Sequence, residues 1–250
     1  MRCHLYLLTA LAVAVLPSVY ARANAAPATA DNARLEAAKA AELKGDLARA
    51  RGDLQVAVSW YYRATRDNRK SVKLYNKLGI VQLKLHENGP ARNSFERALK
   101  IDGQDASVLN NLGAVACIDK KYKNAVKYLK RALALDETMA SAHLNIAEAW
   151  MGMKDMDRAM TEYARAIELD PDILSSGREG TIAQISTPEQ RARINYLVAK
   201  AYARRGNIEA ALEYLQRAKE GRFPEMKRVY AEQEFAMLWT DPRLEKIVKR

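Results

Sequence analysis

Three histidines, two cysteines and 30 carboxylates are the side chains with which this 250-residue chain could build acid–base, nucleophilic or metal chemistry. None falls into a spacing that such chemistry requires. His4 lies in an apolar N-terminal stretch, and His86 and His143 lack ligand partners at metal spacing. There is no glycine-rich phosphate cradle and no nucleophile elbow. The carboxylates fall on solvated helix faces and are not paired as general acid–base work would require. The sequence therefore predicts a protein that is not an enzyme and uses no cofactor or metal. Two groups of side chains suit binding instead. Asn76, Asn110, Asn111 and Asn145 carry carboxamides, which both donate and accept hydrogen bonds as a peptide backbone does, and Lys77 takes the place of one of them. Within "DKKYKNAVKYLKR", Lys123, Lys127, Lys130 and Arg131 fall along one helix face and suit an anionic partner.

The elements that position these residues emerge on comparing the chain with itself. "NKLGIVQ" at 76–82 and "NNLGAVA" at 110–116 lie 34 residues apart, and "LNIAEAW" at 144–150 follows at the same step. "AVSWYYRAT", "ARNSFERAL", "AVKYLKRAL" and "AMTEYARAI" open at Ala57, Ala91, Ala125 and Ala159, again 34 apart. Ala64, Ala98, Ala132 and Ala166 mark a second register, with Tyr61, Phe95, Leu129 and Tyr163 between the two. A displaced copy keeps Ala211, Leu215 and Ala218. Each unit reads as two helices joined by a short turn, and no alternating strand pattern appears. Gly79 and Gly113 interrupt helical stretches at a cost of about 1 kcal/mol relative to alanine. They are expected where the two helices of a unit cross, facing the recurring alanines.

This pattern resembles the tetratricopeptide repeat, a 34-residue helix–turn–helix unit. The matching residues are Tyr75, Leu78, Gly79, Ala91, Phe95 and Ala98 in one unit, and Leu109, Leu112, Gly113, Ala125, Leu129 and Ala132 in the next. Ile146, Ala147, Trp150, Ala159, Tyr163, Ala166 and Pro171 follow. The resemblance implies an all-α solenoid of tandem repeats forming a right-handed superhelix. Its first helices would line a concave groove that holds a peptide or partner helix, and its second helices would form the convex side. In that family position six of the unit is often an asparagine that bonds a bound backbone; Asn111 and Asn145 stand there, and Lys77 one unit earlier. The family's clamp for a C-terminal carboxylate is matched only by Asn111, so capture of a free C-terminus is not implied.

Residues 1–25 have the three-part pattern of a secretory signal peptide: a short basic start, the apolar run Leu5 to Leu16, and small residues at Ala21, Ala23 and Ala25. An uncleaved anchor is the alternative. Cleavage after Ala25 removes Arg2 and Arg22 and no acidic residue, so the net charge falls from +11 to +9 and Cys117 becomes the sole cysteine. Residues 26–37 form a lead-in, and 38–225 form the array, with units near 38–71, 72–105, 106–139, 140–173 and 192–225. The register slips by 18 residues at an insertion, 174–191, where Thr187 to Gln190 reads as a capping box. Residues 226–250 are expected to form capping helices, with Phe235, Leu238 and Trp239 covering the last repeat.

The expected function is that of an adaptor or assembly scaffold of a bacterial cell envelope. The protein would be exported, most simply to the periplasm, with another protein as its partner. Nucleic acid is not expected, because export and the lack of stacking aromatics beside the basic residues both argue against it. The alternative is binding of anionic lipid or lipopolysaccharide at a membrane surface through the basic convex face.

Overall fold

The computed structural model describes residues 30–174 and 187–249. The expected signal peptide lies outside the described residues, as does most of the expected insertion. The helices are α1 Ala30–Ala50, α2 Leu54–Asp67, α3 Val72–Lys84, α4 Asn88–Ile101, α5 Ala106–Ile118, α6 Tyr122–Leu135, α7 Ala140–Gly152 and α8 Met156–Leu169. A 3-10 turn at Pro171–Leu174 closes this series. Beyond the gap come α9 Pro188–Arg204, α10 Ile208–Glu220, two 3-10 helices at Met226–Tyr230 and Gln233–Leu238, and α11 Pro242–Ile247. There is no strand among the described residues, and no described helix is long and apolar enough to cross a membrane.

Consecutive helices pair as antiparallel hairpins, α1 with α2 through α9 with α10. Helices α2, α4, α6 and α8 begin at Leu54, Asn88, Tyr122 and Met156, 34 residues apart. Their hairpin turns use a left-handed residue at the same register: Gly52, His86, Lys120 and Lys154, with Gly206 in the last hairpin. The following amide then bonds back to the end of the first helix, as in Glu87 N to Gln82 O at 2.9 Å and Lys121 N to Ala116 O at 2.8 Å, which closes the exposed helix end. Side chains cap several helix starts. Ser71 accepts from Leu74 N, Asp105 from Val108 N, and Thr187 forms the expected capping box with Gln190.

The recurring alanines and the large residue between them form the core of every unit. Ala57, Tyr61 and Ala64 are fully buried, as are Ala91, Phe95 and Ala98, and their equivalents in the later units. The glycines face the large residue and not the alanines. A Cβ on Gly79 would lie 2.5 Å from the Phe95 ring, one on Gly45 would lie 2.6 Å from Tyr61, and one on Gly113 would collide with Leu129. In these three units a ring or branched chain is thus laid against the backbone of the first helix, in space that a Cβ would occupy.

Both ends of the described chain are helical. Helix α1 already starts at Ala30, within the stretch read as a lead-in, because "DNARLEAAKAAEL" has no helix breaker. The tail is mostly 3-10 rather than α-helical, with one short α-helix. Phe235 and Leu238 are fully buried against the last hairpin, and Trp239 is held by its indole N–H bonding to Val229 O at 2.8 Å.

Candidate binding surfaces

The second helices touch the first helix of the following unit. The first helices also touch one another, α3 on α5 and α5 on α7. The layer whose helices crowd together is the inner side of a curved stack, so the inner wall is made of α1, α3, α5 and α7. Asn76, Lys77, Asn110, Asn111 and Asn145 all stand on it.

These five residues form a ladder between repeats. Asn111 Nδ2 donates to Asn76 Oδ1 at 2.8 Å, and Asn145 Nδ2 donates to Asn110 Oδ1 at 2.9 Å. Lys77 Nζ donates to Glu42 at 2.6 Å and to Asp46 at 2.7 Å. Each rung joins position six of one unit to position five of the unit before it. The separation is 35 for Lys77–Glu42, Asn111–Asn76 and Asn145–Asn110, the period plus one; Asp46 joins the first rung from one turn further along α1. Carboxamides read as reaching for a ligand therefore bond first to their neighbours. Asn145 is only 1% exposed and offers no open surface. Asn76, Asn110 and Asn111 are half-buried and keep hydrogen-bonding capacity. Asn76 Nδ2, Asn110 Nδ2 and Asn111 Oδ1 bond to nothing among the described residues. Ala114 and Ile118 continue the same face of α5, and Ile118 is 51% exposed.

The N-terminal rung is ionic. Burial alone would push the Glu42 and Asp46 carboxyls up. Hydrogen bonds and charge from Lys77, with help from Lys73 at Glu42 and Tyr61 at Asp46, outweigh burial and hold both below the usual carboxylate range. Tyr61 is pushed up to about 12, first by burial and then by its hydrogen bond to Asp46 at 2.7 Å. Neither acid stood out in the sequence, because nothing in the repeat pattern marks them; for Glu42 a separation of 35 from Lys77 was the available clue.

On the outer layer, Lys123, Lys127, Lys130 and Arg131 are all exposed along α6. Arg131 donates to Gly103 O at 3.1 Å, while the three lysines pair with no carboxylate among the described residues. Cys117 is half-buried beside Asn145 O, and His143 pairs with Glu162 at 2.7 Å. No group of three or more His, Cys, Asp or Glu among the described residues is placed to hold a metal ion.

Comparison with known proteins agrees with this architecture. Two family profiles, both described as tetratricopeptide repeat, match residues 118–175 and residues 76–140 with 183–226. Among curated proteins, anaphase-promoting complex subunit 3 of Schizosaccharomyces pombe is 29% identical over 112 residues, 45% of this chain. BBSome complex member BBS4 of Mus musculus is 28% identical over 132 residues, 53% of this chain. The matched regions make up only 17% and 25% of those proteins. Among solved structures, MamA of Desulfovibrio magneticus RS-1 aligns with a TM-score of 0.53 at 18% identity, covering 73% of this chain and 93% of that one. YrrB, described as a tetratricopeptide repeat protein with an unusual peptide-binding site, aligns at 0.50 and 23% identity, covering 82% and 98%. The two profiles together span more than half of the sequence, in register with the helix hairpins, and the chain belongs to the tetratricopeptide repeat family.

Proposed function

We propose that this protein is a non-enzymatic adaptor or assembly scaffold that seats an extended peptide segment of another protein along the inner faces of α3 and α5. The observation that carries the reading is the half-buried row Asn76, Asn110 and Asn111, whose remaining donors and acceptor lie beside the apolar Ala114 and Ile118. Amides that meet a backbone, next to apolar surface that meets side chains, are what an extended segment needs. The rungs hold those amides in place before a ligand arrives, which lowers the entropic cost of binding. The peptide site named for YrrB, and the complexes named for the curated relatives, support an interaction role. The N-terminal pattern supports export, with the periplasm of a bacterial envelope as the place of work. A second reading rests on the three unpaired lysines of α6: binding of anionic lipid or lipopolysaccharide on the outer face.

Affinity capture separates the two readings. The tagged mature chain is exposed to solubilised envelope and washed at low and then high salt, beside two variants. Ala114→Arg obstructs the inner wall without touching a rung, and Lys123→Gln/Lys127→Gln/Lys130→Gln discharges the outer face. A protein retained through high salt, and lost only with Ala114→Arg, is expected. Recovery of anionic lipid alone, released by salt and lost only with the lysine variant, would transfer the function to α6.

A further inference from the structure

Away from the inner wall, a cleft of about 450 Å³ opens between α2, α3 and α4. Arg66, Arg69 and Arg97 line it, Tyr62 and Tyr75 contribute aromatic walls, and no carboxylate is in the lining. The three guanidiniums make no ion pair among the described residues; the neighbouring Asp67 and Glu96 do not engage them. At the base lies Gln82, 9% exposed, whose Oε1 accepts from the Ser94 hydroxyl at 2.7 Å. That bond fixes the carboxamide, and its Nε2 donates to nothing among the described residues.

The repeat itself supplies the control. At the positions of Gln82 and Ser94, one unit earlier, stand Ala48 and Trp60; one unit later stand Ala116 and Tyr128. Each neighbouring junction thus has a small apolar residue and a large ring where this one has a hydrogen-bonded polar pair. The equivalent of Arg97 one unit later is Arg131, and it is bonded to Gly103 O, the position that Arg69 holds here. Of these three junctions, only this one combines an open polar base with three uncommitted guanidiniums.

We infer that this cleft is a binding site for a phosphate monoester. Planar guanidiniums bond tetrahedral oxyanions bidentately, and three of them match a dianion better than a single carboxylate. The Gln82 amide adds a fixed neutral donor. The volume falls within the range of about 300–1,000 Å³ typical of small-molecule sites, leaving room for an organic group between Tyr62, Tyr75 and Pro90. The site is independent of the inner wall and of the α6 lysines.

Calorimetric titration of the full chain with phenyl phosphate tests this, with benzoate as the carboxylate counterpart. Saturable binding of phenyl phosphate at one site per chain is expected, with benzoate at least tenfold weaker. Arg97→Gln should weaken binding at least tenfold, and so should Ser94→Tyr, which installs the residue of the next unit. Lys227→Gln, which removes an exposed charge elsewhere, should leave it within twofold. Arg66→Gln, at an exposed position, gives a second reading if Ser94→Tyr loses helicity. Absence of saturable binding at millimolar phenyl phosphate overturns the inference. So does equal binding by the arginine variants, an equal loss with Lys227→Gln, or benzoate binding as tightly as the phosphate.

Discussion

Gly113 lies under Leu129 and Gly79 under Phe95, so in these two units the smallest residue is matched to a large core side chain. Adding a methyl group at Gly113 improves the intrinsic helix propensity by about 1 kcal/mol. It also drives a Cβ into the Leu129 side chain, which is itself fully buried and has no space to retreat. The steric term wins, because overpacking a closed core costs about 1–3 kcal/mol and the strain falls on both helices of the hairpin. Gly113→Ala is therefore expected to lower the midpoint of urea unfolding despite the gain in propensity, and an unchanged or raised midpoint would show that Leu129 can shift. The sequence revealed that these glycines were structural and which helices they joined. It did not reveal their partners. The alanines were the recurrent small residues and invited a small-on-small reading, whereas which side of a helix meets its neighbour depends on the crossing geometry.

At the scale of elements, the rungs between successive first helices decide how one unit is laid on the next. The register of 34 residues was legible, and so were the residues at position six. Their partners were not, because each rung spans the period plus one, an offset that arises only when neighbouring helices are staggered along their axes. The rung between α1 and α3 also makes the N-terminal hairpin sensitive to pH from both sides. Glu42 and Asp46 have lowered values in the folded state. Their contribution to stability is present above the ordinary carboxylate range and is lost as pH falls through the lowered values. Tyr61 has a raised value, so its contribution is complete below the ordinary value of 10.0 and is lost as pH rises through about 12. Unfolding midpoints followed by circular dichroism should show an acid limb that flattens in Lys77→Gln and an alkaline limb that flattens in Tyr61→Phe. An acid limb that is unchanged in Lys77→Gln would mean that other carboxylates govern it.

The whole molecule is graded from one end to the other. Its largest continuous core runs from Leu144 through the last hairpin to Val248 and takes in the C-terminal 3-10 turns. The first two hairpins share two small clusters, around Tyr61 and around Ala64. In a stack where each unit holds mainly its neighbours, opening starts where the interfaces are weakest. Native-state hydrogen exchange should accordingly be fastest in α1 and α2 and slowest in α9 and α10; uniform protection would mean that the array opens as a single unit. The repeats were readable from sequence because their periodicity is local. The packing of α9 on α8 was not, because it follows an insertion whose length breaks the register.

The inner wall is unevenly open. Asn145 on α7 is covered, whereas Asn76, Asn110 and Asn111 on α3 and α5 are only half-buried. At about 10 Å per helix, those two helices span the length of roughly six extended residues. A partner read by this row would be gripped over a short stretch, so a brief motif in a loop or at a terminus would suffice.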